Sequence, residues 1–151
     1  MAFSPAAIRN RILPILAVLT GLALPGEIRA EDLLIIANPS VQVTTPLGLR
    51  EVSAIYLLRM TVWPDGSLIV PVNREASSAI RAKFTANILK QDTASLARYW
   101  NEMHFQGKLP PLVQESEPAM LAFIQKIPGA VGYISASTPP VDVKVLARVP
   151  E

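Results

Sequence analysis

Arg74, Ser77 and Ser78 are the side chains of this chain whose types and spacing suit chemistry. They lie where an apolar run, Leu68 to Val72, passes through Asn73-Arg74-Glu75-Ala76 into a helical pattern. The first N–H groups of a helix have no intrahelical partner, and the macrodipole adds partial positive charge there. A guanidinium meets an oxyanion with two parallel N–H groups, and serine hydroxyls add rotatable donors. The arrangement predicts a site for phosphate or a related small oxyanion, with Arg74, Ser77 and Ser78 as ligands. Arg74→Ala is then expected to abolish binding with little effect on stability. Glu75 opposes the site, because its charge repels an anion unless it turns away. The plainer alternative is that Ser77 or Ser78 only caps the helix while Arg74 is solvated.

Other chemistry finds little support. The chain has no cysteine and a single histidine, His104, which ends a helical pattern beside Phe105 and suits a helix-terminus cation. One histidine with no motif-level serine or aspartate partner makes no triad, and no paired His or Cys offers metal-ligand spacing. Glu115 and Glu117 are alternate acids at a helix start, where negative charge is ordinary. The sequence therefore points away from an enzyme, and to no cofactor or metal. Trp63 and Trp100 fit packing better than ligand stacking, and Tyr133 is expected to line the core with its hydroxyl reaching water.

The positioning elements follow from apolar periodicity and punctuation. Asp32 to Ala37 is a nearly continuous apolar run ended by Asn38-Pro39, as in a strand buried on both faces. Thr45-Pro46 reads as N-cap and first helical residue of a helix with Leu49, Val52, Ile55 and Tyr56 on one face. Trp63-Pro64-Asp65-Gly66 is a turn, and Leu68 to Val72 a second strand. Helices follow from Ser77 (Ile80, Phe84, Ile88), from Asp92 (Leu96, Tyr99, Trp100, Met103) and from Ser116 (Met120, Ile124, Ile127). Leu112-Val113-Gln114 suits a brief strand after the loop from Gln106 to Pro111. In Pro128-Gly129-Ala130-Val131-Gly132-Tyr133-Ile134, proline stops the last helix and Gly129 supplies a positive-φ turn. Ala130 and Gly132 then let the next strand pass close to its neighbours. Val143, Val145, Ala147 and Val149 alternate with Asp142, Lys144, Leu146 and Arg148, as a half-buried last strand does. One α/β sandwich is the expected fold.

Composition divides the chain in two. Arg9 and Arg11 precede an uncharged, mostly apolar run of 14 residues, Ile12 to Pro25, and Ile28-Arg29-Ala30 offers a small residue for cleavage. Residues 1–30 have the layout of a secretory signal peptide, the run being shorter than the roughly 20 residues that span a bilayer. Glu31 is the expected mature N-terminus, and residues 31–151 suit one domain. Removing Arg9, Arg11, Arg29 and Glu27 leaves 11 basic against 11 acidic residues, so the basic pI of about 9.2 advertises no nucleic-acid partner and no membrane surface. Without cysteine there is neither a disulfide nor a lipid-bearing thiol, which points to a soluble periplasmic protein with no stable membrane insertion after cleavage.

The order of four motifs adds a resemblance. Trp63-Pro64-Asp65-Gly66, the strand ending Ile69-Val70-Pro71-Val72-Asn73-Arg74, a serine-started helix, and Pro128-Gly129-Ala130-Val131-Gly132-Tyr133 stand in the order found in phosphate-binding proteins of ABC transporters. Over most of residues 32–148 the chain resembles the small substrate-binding-like members of that family, which carry roughly one lobe of the larger fold. The resemblance implies a type II periplasmic-binding-protein-like lobe: a three-layer α/β sandwich with a mixed sheet flanked by helices. In full-length relatives an Arg, and a Ser-Gly-Thr set four residues later, bind phosphate. The match falls on Arg74 and Ser78, but Ala79 and Ile80 stand where the family has Gly and Thr. A hydroxyl donor is lost, and Ala79 crowds the approach of backbone to an oxyanion. A site with one lobe is shallow and wet, so a Kd near ~1 mM (about −4 kcal/mol) is expected rather than the nanomolar scale. An ABC permease or an envelope sensor is the implied protein partner, and a homodimer would rebuild a two-sided cleft. The competing reading is a non-catalytic envelope interaction module that keeps the fold without the ligand.

Overall fold

Leu33–Ala37 (β1) is the strand on which the rest of the molecule is built. The computed structural model describes residues 32–150, so the expected signal peptide and the expected mature N-terminus at Glu31 lie outside the described residues. All five residues of β1 are buried. Leu33, Ile35 and Ala37 enter one apolar cluster, while Leu34 and Ile36 enter the other. Side chains alternate across a strand, so a continuous apolar run marks a strand covered by helices on both faces.

The remaining elements follow in chain order: α1 Leu49–Tyr56, β2 Val70–Arg74, α2 Ala79–Phe84, a π-helical turn Thr85–Leu89, α3 Thr93–Phe105, β3 Leu112–Gln114, α4 Glu117–Lys126, β4 Ala130–Ser135 and β5 Lys144–Val149. The five strands form one mixed sheet in the order β3-β2-β4-β1-β5. β2 runs parallel to β3 and to β4, while β1 is antiparallel to β4 and β5. The carboxyl ends of β2, β3 and β4 therefore share one edge of the sheet. On one face the cluster takes in Val52, Ile55 and Tyr56 of α1, Phe84 of α2, Ile88 and Leu89 of the π-helical turn, and packs against Leu96 and Tyr99 of α3. On the other face Met120 and Ile124 of α4 cover Leu34, Ile36, Val72 and Ile134. The expected three-layer α/β sandwich is what forms.

Capping and glycine chemistry explain several boundaries. Asp92 accepts from Ser95 N at 2.8 Å and Ser116 accepts from Ala119 N at 3.1 Å, so both predicted caps are made. Gly129 has φ +76°, and a Cβ there would stand 2.1 Å from the Leu68 carbonyl oxygen, which leaves no room for a side chain. At Gly132 a Cβ would meet Met120 Sδ at 2.4 Å, so the close neighbour is α4 packing over the strand. Asn38, just beyond β1, donates to the carbonyls of Ile124 (2.8 Å) and Gln125 (3.1 Å) and satisfies the end of α4. Trp63 is buried and donates to the Gly129 carbonyl at 3.0 Å, which accounts for it by packing.

Four expectations are corrected. Helix α1 starts at Leu49 rather than at Pro46, with Gly48 in the cap position and its N–H donating to the Glu51 carboxylate at 2.9 Å. Strand β2 covers Val70–Arg74 rather than starting at Leu68, which pairs only with Val62 across the Trp63–Gly66 turn. The helix expected from Ser77 starts at Ala79, with Ser78 as its cap residue and Ser77 in the preceding turn. In β5 the alternation fails at a bulge opposite Ile35 and Ile36. The extra residue brings Leu146 and Ala147 inward together and leaves Val145 39% exposed. Among the described residues no helix is long and apolar enough to cross a membrane.

Candidate functional site

Arg74 closes β2, Gln114 closes β3 and Ser135 closes β4, all at the same edge of the sheet. From β2 and β3 the chain turns within a few residues into α2 and α4, so two helix N-termini open beside each other. Between them lies a cleft of about 520 Å³, lined by Arg74, Ser78 and Lys83 from one side and by Ser116, Glu117 and Ser135 from the other. Ala79, Ile80, Leu33 and Pro118 complete the lining with mostly apolar surface. A crevice outside the carboxyl ends of parallel strands is where open α/β sheets hold ligands. Of the predicted ligands the cleft brings together Arg74 and Ser78. Ser77 is exposed in the turn before α2 and does not line it.

Arg74 is held rather than solvated. Its side chain is 10% exposed, against 32% for Glu75. Nε and Nη2 donate to the two oxygens of Glu75 at 3.2 and 3.0 Å, and also to the carbonyls of Gln114 (3.3 Å) and Glu115 (3.2 Å). Glu75 thus turns toward Arg74, and this pairing, foremost its hydrogen bond, holds the Glu75 carboxyl below the ordinary carboxylate range. Nη1 of Arg74 makes no hydrogen bond among the described residues, yet no buried side-chain nitrogen is left without a partner, so Nη1 meets solvent. It remains the guanidinium group with donors to spare. Arg81 of α2 donates to the Arg74 carbonyl at 2.6 Å and ties the helix to the strand end.

Beneath Arg74 lies an aromatic support. Tyr133 is fully buried, hydrogen-bonds Asn73 Oδ1 through its hydroxyl, and accepts from Arg74 N at 3.2 Å. The expectation that its hydroxyl reaches water is overturned: the strand end supplies its partners. Burial pushes the Tyr133 phenol up to about 12 and that of Tyr56 well above its usual value. Tyr56 donates to the Val72 carbonyl at 2.8 Å. Phe84 stacks on Tyr133 with ring centroids 4.1 Å apart and planes 10° apart. These contacts fix the carboxyl end of β2, and with it the direction of Arg74.

Two serine caps face the cleft in different states. Ser116 uses its hydroxyl to cap α4, whereas Ser78 makes no side-chain cap bond and its hydroxyl is open to a ligand. Glu117 is more than ordinary helix-start charge. Its two carboxylate oxygens accept from Ser135 N and Thr138 Oγ1, both at 2.5 Å, and clamp the end of β4 to the start of α4. Sequence reasoning missed Lys83, Glu117, Ser135 and the α4 terminus as parts of the site. One signal was there: Val113-Gln114-Glu115-Ser116 repeats in shorter form the strand–loop–serine–helix order of Val72 to Ser78. His104 is exposed in the last turn of α3 and does not line the cleft. Among the described residues no group of three or more His, Cys, Asp or Glu could hold a metal ion.

Several solved structures share this fold. An ABC-type phosphate transport receptor from Vibrio cholerae aligns over 76% of this chain and 44% of its own, with a TM-score of 0.60 and 24% identity. The fold of this chain is shared with part of that receptor. A putative phosphate ABC transporter substrate-binding protein from Clostridium perfringens, solved with bound phosphate, gives a TM-score of 0.60 at 20% identity over 76% of this chain and 43% of that one. PstS from Borrelia burgdorferi gives 0.61 at 17% identity over 76% and 46%. The lobe therefore spans less than half the length of these proteins, and at such identities the likeness is one of fold. No family model matches the sequence, and no curated protein matches it either.

Proposed function

We propose that the cleft between the starts of α2 and α4 binds phosphate or a related small oxyanion, with Arg74 and Ser78 as ligands. The observation that carries this reading is the convergence of Arg74, the uncommitted Ser78 hydroxyl and two helix N-termini on one cleft. Arg74 Nη1 supplies charge-assisted donors, Ser78 a rotatable one, and the first-turn N–H groups the rest. Glu75 and Glu117 moderate the site, because each places a carboxylate near an incoming anion. With one lobe and two carboxylates the expected Kd stays near ~1 mM. The protein acts in this reading as an exported, periplasmic, non-catalytic solute-binding lobe that serves phosphate uptake beside an ABC permease.

A calorimetric phosphate titration tests the assignment of Ser78. Ser78→Ala removes a hydroxyl that makes no internal bond, so the fold should keep its stability while affinity drops several-fold. Equal affinity in the variant would take Ser78 out of the site. A second reading, an envelope interaction module that keeps the fold without the ligand, has its own support in the Glu75 carboxylate, which already occupies two N–H groups of Arg74. Glu75→Gln separates the two. Tighter phosphate binding in that variant supports the oxyanion site, and absence of binding in both proteins supports the module.

A further inference from the structure

A second cleft, away from the strand ends, carries the more lopsided charge. It has a volume of about 510 Å³ and lies between α1 and the π-helical turn. Arg50, Arg59 and Lys90 line it, with Ser53 and Asn87 between them, and among the described residues no acidic side chain does. Leu49, Ala54, Ile88 and Leu89 add apolar surface. In the first cleft Arg74 is answered by Glu75, and Lys83 shares the lining with Glu117. Among the described residues no carboxylate is ion-paired with Arg50, Arg59 or Lys90. Arg59 lies 5.9 Å from the centroid of the Tyr99 ring.

The backbone supplies an independent observation. Both elements that wall the cleft end in a left-handed residue that is not glycine: Leu58 after α1 and Lys90 after the π-helical turn, each with φ 53°. Neither leucine nor lysine adopts that conformation readily, and such outliers concentrate at functional sites. They end the two elements so that Arg59 and Lys90 reach the same concavity.

We propose that the cleft formed by Arg50, Ser53, Arg59, Asn87 and Lys90 is a second binding site, for a phosphorylated ligand that carries at least two negative charges. Three cations flanking neutral donors match several phosphate oxygens at once, and the apolar surface accommodates a non-ionic portion. The same chemistry is offered by a soluble compound with linked phosphates and by an anionic phospholipid headgroup. This site is independent of the oxyanion site at the strand ends, since the two clefts share no lining residue.

The test uses the full chain with two probes: inorganic tripolyphosphate, and vesicles of phosphatidylcholine with and without phosphatidylglycerol. Amide NMR should show saturable shifts at Ser53, Asn87 and Lys90 with tripolyphosphate, or sedimentation should show capture by the anionic vesicles alone. The first outcome identifies a soluble ligand and the second a lipid headgroup. Arg50→Gln with Lys90→Gln should weaken whichever binding is seen by about tenfold or more. Lys108→Gln with Lys126→Gln, which removes the same charge elsewhere, should leave it nearly unchanged. Binding to neither probe overturns the proposal, as does equal weakening by the two double variants, which would mean general charge attraction.

Discussion

Arg74 serves the fold and, under the proposed function, the site as well. Its backbone N–H meets Tyr133 and Asn73, its guanidinium meets Glu75 and the carbonyls of Gln114 and Glu115, and only Nη1 is left for a ligand. The prediction of little stability loss in Arg74→Ala therefore gives way to a different one. Truncation removes the donors to two carbonyls between β2 and β3, and denaturant unfolding should show a loss of about 1–3 kcal/mol. Arg74→Lys should recover part of that stability while phosphate affinity stays low, since an ammonium cannot reproduce the fork. Tyr133 makes a prediction of its own. Its folded-state pKa of about 12 lies above the ordinary phenol value of 10.0, so the neutral phenol contributes stability that is fully present below pH 10 and lost as pH rises through 12. Unfolding followed across that range should show the decline, and Tyr133→Phe should make it shallower, Tyr56 supplying the rest. A slope unchanged in Tyr133→Phe would assign the decline to other groups.

At the scale of elements, the joint between α4 and β4 is where the sequence spoke most clearly. Pro128 and Gly129 announced a helix feeding straight back into the sheet, and Gly129 has the positive φ that such a joint requires. Gly129→Ala combines that φ with a Cβ 2.1 Å from a backbone oxygen, so thermal unfolding should show a loss of about 2–4 kcal/mol. Gly132→Ala meets the flexible end of Met120 and should cost less, about 1–3 kcal/mol. The reverse order would mean that α4 cannot shift on the sheet. Local rules also found the Asp92 and Ser116 caps, because cap and helix are adjacent in sequence. They failed where distant chain decides. The pairing of β2 with β3 joins Arg74 to Gln114, and no periodicity announces it. Glu117 reads as a routine first-turn acid until Ser135 and Thr138 arrive from the far end of β4. The bulge between β1 and β5 breaks an alternation that the sequence of β5 alone suggests.

The described residues form one α/β unit whose likeness to the Vibrio, Clostridium and Borrelia proteins covers 43–46% of their length. A two-lobed receptor closes on its ligand and excludes water, which strengthens each charge-assisted bond. Under the proposed function a single lobe leaves the cleft open, so its affinity is set by what one sheet edge and two helix starts provide. Under the proposed function that edge still binds an oxyanion, with Glu75 and Glu117 holding the affinity low. The most direct measurement is a phosphate titration of the full chain followed by amide NMR, with sulfate as the comparison anion. Saturable shifts centred on residues 74–80, extending to Ser116 and Ser135 and half-complete near ~1 mM phosphate, are the predicted result. No shifts at several times that concentration would contradict the oxyanion site and leave the lobe as an interaction module.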